Sequence, residues 1–354
     1  MTELKVEKFD DKNKEDYRYF YQKAFYKPVY YGVTVIETLQ NVFGKDVSIA
    51  WLRNESRIFA ALPCQIRGGK FYNLDFRSFD NLDFIVNPDC NRDEIITLFL
   101  KKLVLKFRTL QLSHFKTIGS PNDFFIFSQK QYSCPVIYLP ASYDEYINRL
   151  SRSFKKTLRR DLNLAERSDV RIRIINNKDE MFDSSIVDRL YHLHSLRAEE
   201  KGILSAFLTE SSIEFHKSLM MSGNGDVLFT EAWHENKCIG IHYGLVQPDS
   251  YAFINAGIES SYNPKISIGS ILFAETIKHL IENGIYQFDM LRGTERYKFH
   301  WTKEVQNNYR YYLAHGIYNK LLVAFDYLMD QRKRFGWRGL LVRWVKIKKE
   351  VSAR

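Results

Sequence analysis

The stretch from Gln287 to Trp301 tells more about chemistry than any other part of this 354-residue chain. The apolar run Ile285 to Leu291, broken once by Asp289, reads as a strand. Its exit carries Arg292, Gly293, Glu295, Tyr297 and Lys298. Two carboxylates, a guanidinium, a phenol and an ammonium suit anion binding and proton transfer. Strand exits in α/β folds are where ligands bind, because the loops there diverge and expose backbone groups. The same residues also suit a charged loop that merely closes a strand.

Two further places offer chemistry. His242 lies in Ile239-Gly240-Ile241-His242-Tyr243-Gly244, otherwise apolar residues and glycines. An imidazole there points into a core or a cleft, as a hydrogen-bonded structural group or as a base. Ser267-Ile268-Gly269-Ser270 opens a helix, with Lys265 just before it. A helix N-terminus offers backbone N–H groups and a favourable dipole to a phosphate, although an ordinary Ser cap looks the same.

The elements that must position these groups follow from pattern. Val170 to Ile175, Val227 to Trp233, Cys238 to Val246, Tyr251 to Ala256, Ile285 to Leu291 and Asn307 to Ala314 read as strands. Glu180 to Lys201, Thr209 to Met221 and Ile268 to Glu282 read as helices, and Glu295 to Trp301 as a short one. The order is β-α-α-β-β-β-α-β-α-β. Earlier in the chain, helices are expected at Val33 to Phe43 and Asn91 to Phe107. Strands are expected at Val47 to Leu52, Ile58 to Ile66 and Phe115 to Ile118, with an irregular aromatic stretch from Phe71 to Phe84.

Phe288-Asp289-Met290-Leu291-Arg292-Gly293-Thr294-Glu295-Arg296-Tyr297-Lys298-Phe299-His300-Trp301 resembles the terminal motif of the CelD-like branch of the GNAT acyltransferase superfamily, Phe-Asp-x-x-Arg/Lys-Gly-x-Glu-x-Tyr-Lys-x-x-Trp. That branch is related in fold to Fem-type aminoacyl transferases. The basic segment Ser151 to Arg160, His194-Ser195-Leu196-Arg197 with Gly202, and Ser267-Ile268-Gly269 resemble further family pieces in the same order. The likeness runs from about Ser151 to Trp301. The resemblance implies an α/β fold of two tandem GNAT-like lobes with mixed, mainly antiparallel sheets. The expected divisions are a degenerate lobe over 1–140, an acyltransferase lobe over 141–316 and, beyond the resemblance, a basic helical tail over 317–354.

It also implies N-acyl transfer from acetyl-CoA or another acyl-CoA to an amine, with no metal. The acceptor would be an aminosugar or nucleotide-linked sugar in a cell-envelope or exopolysaccharide setting. The expected catalytic groups are His242 or Glu295 as base, Asp289 as orienting residue and Tyr297 as proton donor to the leaving thiolate. Lys265, Ser267, Ile268, Gly269 and Ser270 would hold the acyl carrier, although the loop lacks the full Arg/Gln-x-x-Gly-x-Gly/Ala pattern of standard GNAT enzymes. Arg197, Arg292, Lys298 and, in the first lobe, Asp83 would meet substrate. Aminoacyl transfer from tRNA and a non-catalytic interaction module of a glycan-assembly system remain alternatives.

Composition narrows the setting. Four scattered cysteines, Cys64, Cys90, Cys134 and Cys238, suit neither a disulfide framework nor a zinc site, which favours a reducing cytosol. The charged start, Met1 to Asp16, is no signal peptide, and no apolar run approaches the roughly 20 residues that span a bilayer. The net charge of +10 is concentrated: residues 317–354 supply +7 and residues 149–167 a further +5. A near-neutral remainder argues against a general nucleic-acid binder. In the tail, Leu321, Leu322, Phe325, Leu328 and Met329 recur at helical spacing, so Tyr318 to Arg334 is expected to be a helix with an apolar stripe. Trp337 to Lys349 mixes aromatic and cationic residues, as in a helix lying on an anionic membrane surface or packed on the protein with a basic edge. The oligomeric state is not legible.

Overall fold

The computed structural model describes residues 2–24, 27–76, 79–116, 118 and 125–330. In chain order the elements begin β1 (Glu3–Lys8), α1 (Lys14–Lys23), α2 (Val33–Phe43), β2 (Ser48–Arg53), β3 (Ile58–Arg67), β4 (Lys70–Asn73) and β5 (Ile85–Val86). Next come α3 (Arg92–Lys106), β6 (Thr109–Phe115), β7 (Phe125–Tyr138), α4 (Tyr143–Arg149), α5 (Arg152–Arg167), β8 (Val170–Asn176), α6 (Ser185–Glu200) and α7 (Glu210–Met220). β9 (Val227–His234), β10 (Lys237–Val246), β11 (Ser250–Ile258), α8 (Ile268–Glu282), β12 (Gln287–Asp289) and β13 (Val305–Ala314) follow. Helix α9 covers residues 317–330.

Two compact units are discontinuous in sequence. One comprises Met1–Lys27, Asp46–Gln131 and the chain from Asn307; the other comprises Pro28–Lys45 and Tyr132–Gln306. Each repeats one plan. In the first unit β1 to β4 are antiparallel neighbours, and the chain then crosses through α3 to place β6 parallel to β4. In the second, β8 to β11 are antiparallel, and α8 carries the chain across so that β12 runs parallel to β11. A parallel neighbour requires a crossover of this kind, which a hairpin cannot supply. This is the GNAT-like α/β fold, with a mixed, mainly antiparallel sheet in each unit.

The last strand of each sheet comes from an unexpected part of the chain. Asn307 to Ala314 does form a strand, but β13 pairs with β6 of the first unit. The place beside β12 is filled by β7, with Val136, Ile137 and Tyr138 opposite Asp289, Phe288 and Gln287. β7 escapes a period-two reading because Ser128 to Tyr132 is polar or amphipathic and Pro135 interrupts the run, and proline is rare inside strands. The strand expected at Phe115 to Ile118 lies earlier, at β6. β1 has alternation too weak to stand out, since none of its residues is fully buried.

The second unit's core explains its precision. Helix α8 is apolar almost all round, burying Ile268, Ile271, Leu272, Phe273, Ala274 and Ile277, and its one inward hydroxyl, on Thr276, is 2.8 Å from that of Thr230. Two glycines set the approach of helices to the sheet. A Cβ on Gly240 would stand 2.6 Å from Ile268, and one on Gly257 would stand 2.6 Å from Leu193 and 2.9 Å from the His194 backbone nitrogen. Any larger residue would push α8 or α6 outward.

Helix α9 forms within the expected range, and part of its apolar stripe faces outward. Val323 and Tyr327 pack with Phe127, Tyr312 and Ala314, while Leu321 and Phe325 of the expected stripe are 66% and 61% exposed. The acids pair on the same side: Asp326 meets Lys70 at 2.5 Å, and Asp330 meets Arg310 at 2.6 Å and the Tyr312 hydroxyl at 3.0 Å. Residues 331–334 of the expected helix, and the Trp337 to Lys349 segment, lie outside the described residues. Among the described residues no helix is long and apolar enough to cross a membrane, and no cluster of His, Cys, Asp and Glu could hold a metal ion.

Candidate active site

A cavity of about 650 Å³ opens within the second unit, walled by α6, β10, β11, the start of α8 and residues 295–301, with Phe154 of α5. His242 is in its wall. The ring is 1% exposed, flanked by Phe253 at 4.9 Å and Phe273 at 4.6 Å between centroids. Neither ring nitrogen has a hydrogen-bond partner. Burial, helped by the Arg197 cation, pushes the imidazole pKa down to about 3, so the ring is neutral and carries one idle N–H. A buried donor left in this way costs about 1–3 kcal/mol until an acceptor arrives.

Arg197 and Lys201 from the end of α6 line the same cavity. The Arg197 guanidinium makes no ion pair among the described residues. One turn earlier, His194 Nδ1 is 2.8 Å from the Ala256 carbonyl and Nε2 is 2.8 Å from the Ser205 hydroxyl. The carbonyl accepts only, so Nδ1 carries the proton and Nε2 accepts from Ser205. Burial lowers the His194 pKa, and Arg197 lowers it further.

At the start of α8, Ser267 is the N-cap, its Oγ accepting from the Ser270 amide at 3.4 Å. Ile268 and Gly269 supply the first two amides of the helix, which have no acceptor within it. Gly269 lies close to Ile258, whose Cδ1 would be 2.9 Å from an added Cβ. The cavity therefore has one wall of helix-dipole amides, cations at another edge and an idle imidazole between aromatic rings. These groups suit a ligand with an anionic arm.

The loop after β12 is held from both sides. Leu291 has a left-handed backbone with φ of 55°; its amide donates to Asp289 Oδ1 at 2.8 Å. Lys298 is 3% exposed, and its Nζ donates to the Leu291 and Arg292 carbonyls at 3.3 and 2.8 Å. Glu295 stands 3.2 Å from the same ammonium. An ammonium has three protons, and Lys298 has three acceptors. The loop so fixed presents Glu295 and Tyr297 to the cavity. Burial, followed by the Glu295 carboxylate, raises the Tyr297 pKa, so this phenol stays protonated.

The structure thus gathers His242, Glu295, Tyr297, Arg197, Ser267, Ile268, Gly269 and Ser270 around one cavity. It does not bring the others there. Lys298, expected to meet substrate, is committed to its own loop. Asp289 supports that loop from beneath. The Arg292 guanidinium lies 4.3 Å from the Tyr132 ring, and Lys265 is exposed outside the lining. Asp83, expected at a cleft, is 3% exposed in the first unit. Both of its oxygens are 2.7 Å from Arg92. A buried carboxylate answered by a bidentate guanidinium is a structural pair. Sequence reasoning passed over His194, Lys201 and Asn255 as lining residues; the helical register from Arg197 back to His194 was the signal available for the first.

Residues 152–299 match the family described as an acetyltransferase (GNAT) domain. Among solved structures, FemX aligns with a TM-score of 0.65 at 8% identity, covering 90% of this chain and 99% of its own. A conserved protein of unknown function from Bacteroides thetaiotaomicron aligns at 0.54 and 9% identity, covering 88% of this chain and all of its own. L-PGS from Bacillus licheniformis aligns at 0.52 and 12%, covering 90% and 96%. No curated protein matches the chain. These likenesses concern the fold; the family match concerns the segment that builds the cavity. Residues 152–299 are thus similar to a GNAT acetyltransferase domain, and the fold of the chain is GNAT-like.

Proposed function

We propose that the protein is an N-acyltransferase that moves an acyl group, acetyl in the first instance, from acyl-CoA to an amine. The observation that carries this reading is that the α8 N-terminus, His242, Glu295 and Tyr297 line one cavity. The carrier's phosphates lie against the Ile268 and Gly269 amides, and the thioester carbonyl accepts from His242. The amine attacks the carbonyl carbon, the C–N bond forms and its proton passes to Glu295. The C–S bond then breaks, and the departing thiolate accepts a hydrogen bond from Tyr297. His242 serves as this donor and not as the base, since a pKa near 3 leaves an imidazole little proton affinity at neutral pH. Arg197 and Lys201 suit an acceptor bearing phosphate, such as a nucleotide-linked aminosugar, and the 288–301 motif keeps the CelD-like, envelope-glycan setting in view.

The test is thiol release from acetyl-CoA in the presence of aminosugars and nucleotide-linked aminosugars. Amine-dependent release is expected; its absence with every acyl-CoA and acceptor overturns the reading. One observation favours aminoacyl-tRNA as an alternative donor. Arg152, Lys155, Lys156 and Arg159 share one face of α5 and, with Leu150, line a groove of about 550 Å³. Arg152, Lys156 and Arg159 make no ion pair among the described residues. Transfer of a labelled aminoacyl group from tRNA, without thiol release from any acyl-CoA, would select that donor.

A further inference from the structure

Helix α9 buries Val323 and Tyr327 but leaves a wider apolar arc outside. Its two acids, Asp326 and Asp330, point inward and are neutralised by Lys70 and Arg310. Its outward side carries Ile317, Tyr318, Leu321 and Phe325, exposed by 82, 69, 66 and 61%. These four positions lie within one arc of a 3.6-residue helix, and half-buried Leu322, Leu328 and Met329 flank them. A surface helix ordinarily turns its apolar stripe inward. Here the inward side is made by the charges and by Val323 and Tyr327, and the wider apolar arc is left outside.

We infer that this face is a docking surface for an anionic lipid bilayer. The sequence directly after it decides among occupants by charge. Residues 331–354 hold nine Lys or Arg against one acidic residue, together with Trp337 and Trp344. An apolar helix face followed by a cationic, Trp-bearing segment combines the two contributions that peripheral membrane attachment needs, apolar burial and attraction to anionic headgroups. A second copy of this chain would bring the same +8 segment against itself, which opposes self-association through this face. The inference is independent of the acyl-transfer reading, because none of its residues lines the cavity.

The experiment is co-sedimentation of the full chain with vesicles of phosphatidylcholine alone and of phosphatidylcholine with one quarter phosphatidylglycerol. It is repeated for L321D/F325D, whose side chains are exposed, with circular dichroism to verify the fold. The wild-type protein is expected to pellet with the anionic vesicles and not with the neutral ones. The folded double variant is expected to lose binding by about tenfold or more, since two apolar anchors become charged. Wild-type protein left in the supernatant with anionic vesicles overturns the inference. So does a double variant that pellets equally, or a concentration-dependent oligomer in light scattering that the double variant abolishes without any vesicle binding.

Discussion

His242 stands edge-on to Phe273, 4.6 Å between ring centroids and 73° between planes, with neither nitrogen hydrogen-bonded. Two aromatic neighbours pack against the ring, and the residue lines the cavity. His242→Phe retains the packing and removes the unsatisfied group. We expect unchanged or slightly higher thermal stability with turnover lower by about 10²–10³, the usual cost of losing one oxyanion donor. Full turnover in the folded variant would remove His242 from the mechanism.

Lys298 is a different matter, since it holds the loop and does not touch the cavity. Lys298→Met leaves two carbonyls and the Glu295 carboxylate without their cation, and Leu291 without support for its left-handed backbone. A loss of about 2–4 kcal/mol is expected in denaturant unfolding, with turnover reduced because Glu295 and Tyr297 are no longer fixed. Stability unchanged within error would refute the bracing role. Restoring turnover with exogenous amine would instead mark Lys298 as a participant in the chemistry.

The Asp83–Arg92 pair should behave asymmetrically. Asp83 is almost wholly buried, whereas the Arg92 side chain is 38% exposed. Arg92→Met strands a buried carboxylate and is expected to cost about 3 kcal/mol or more. Asp83→Asn leaves a guanidinium that reaches water and should cost clearly less. Adding Asp83→Asn to Arg92→Met should recover part of the loss. Equal costs for the two single variants, or lower turnover in folded Asp83→Asn, would contradict a purely structural pair.

Two buried imidazoles make stability depend on pH. Burial holds both His216 and His242 near pKa 3, against about 6.5 in the unfolded chain. Both are neutral in either state above pH 6.5, so they contribute no slope there. Below it the unfolded chain takes up protons that the folded chain refuses, and stability falls as pH drops from about 6.5 toward 3. Each imidazole adds a slope of up to about 1.4 kcal/mol per pH unit in that window. His242→Phe should lower the proton uptake on unfolding by one near pH 5, measured from the pH dependence of urea midpoints. An unchanged slope would mean that the ring is solvated.

Local sequence determined most of the elements and the identity of several cavity residues. Helix α8 has the bounds its apolar spacing predicts, and the burst of polar residues after β12 did mark the loop at the site. Such signals are local, because a helical or strand period and a capping residue act over a few positions. What the chain alone left open was decided by contacts distant in sequence. β7 and β13 fill the final place in their respective sheets through pairings that no local period encodes. Lys298 and Glu295 carry opposite charges in the same loop, yet burial holds one within the loop and leaves the other lining the cavity. The apolar stripe of α9 lies along a helix as its spacing predicts, but the spacing did not say which side faces outward. Its rotation is fixed by contacts its own sequence does not encode: Val323 and Tyr327 pack on Phe127, Tyr312 and Ala314, and Lys70 and Arg310 pair with its acids.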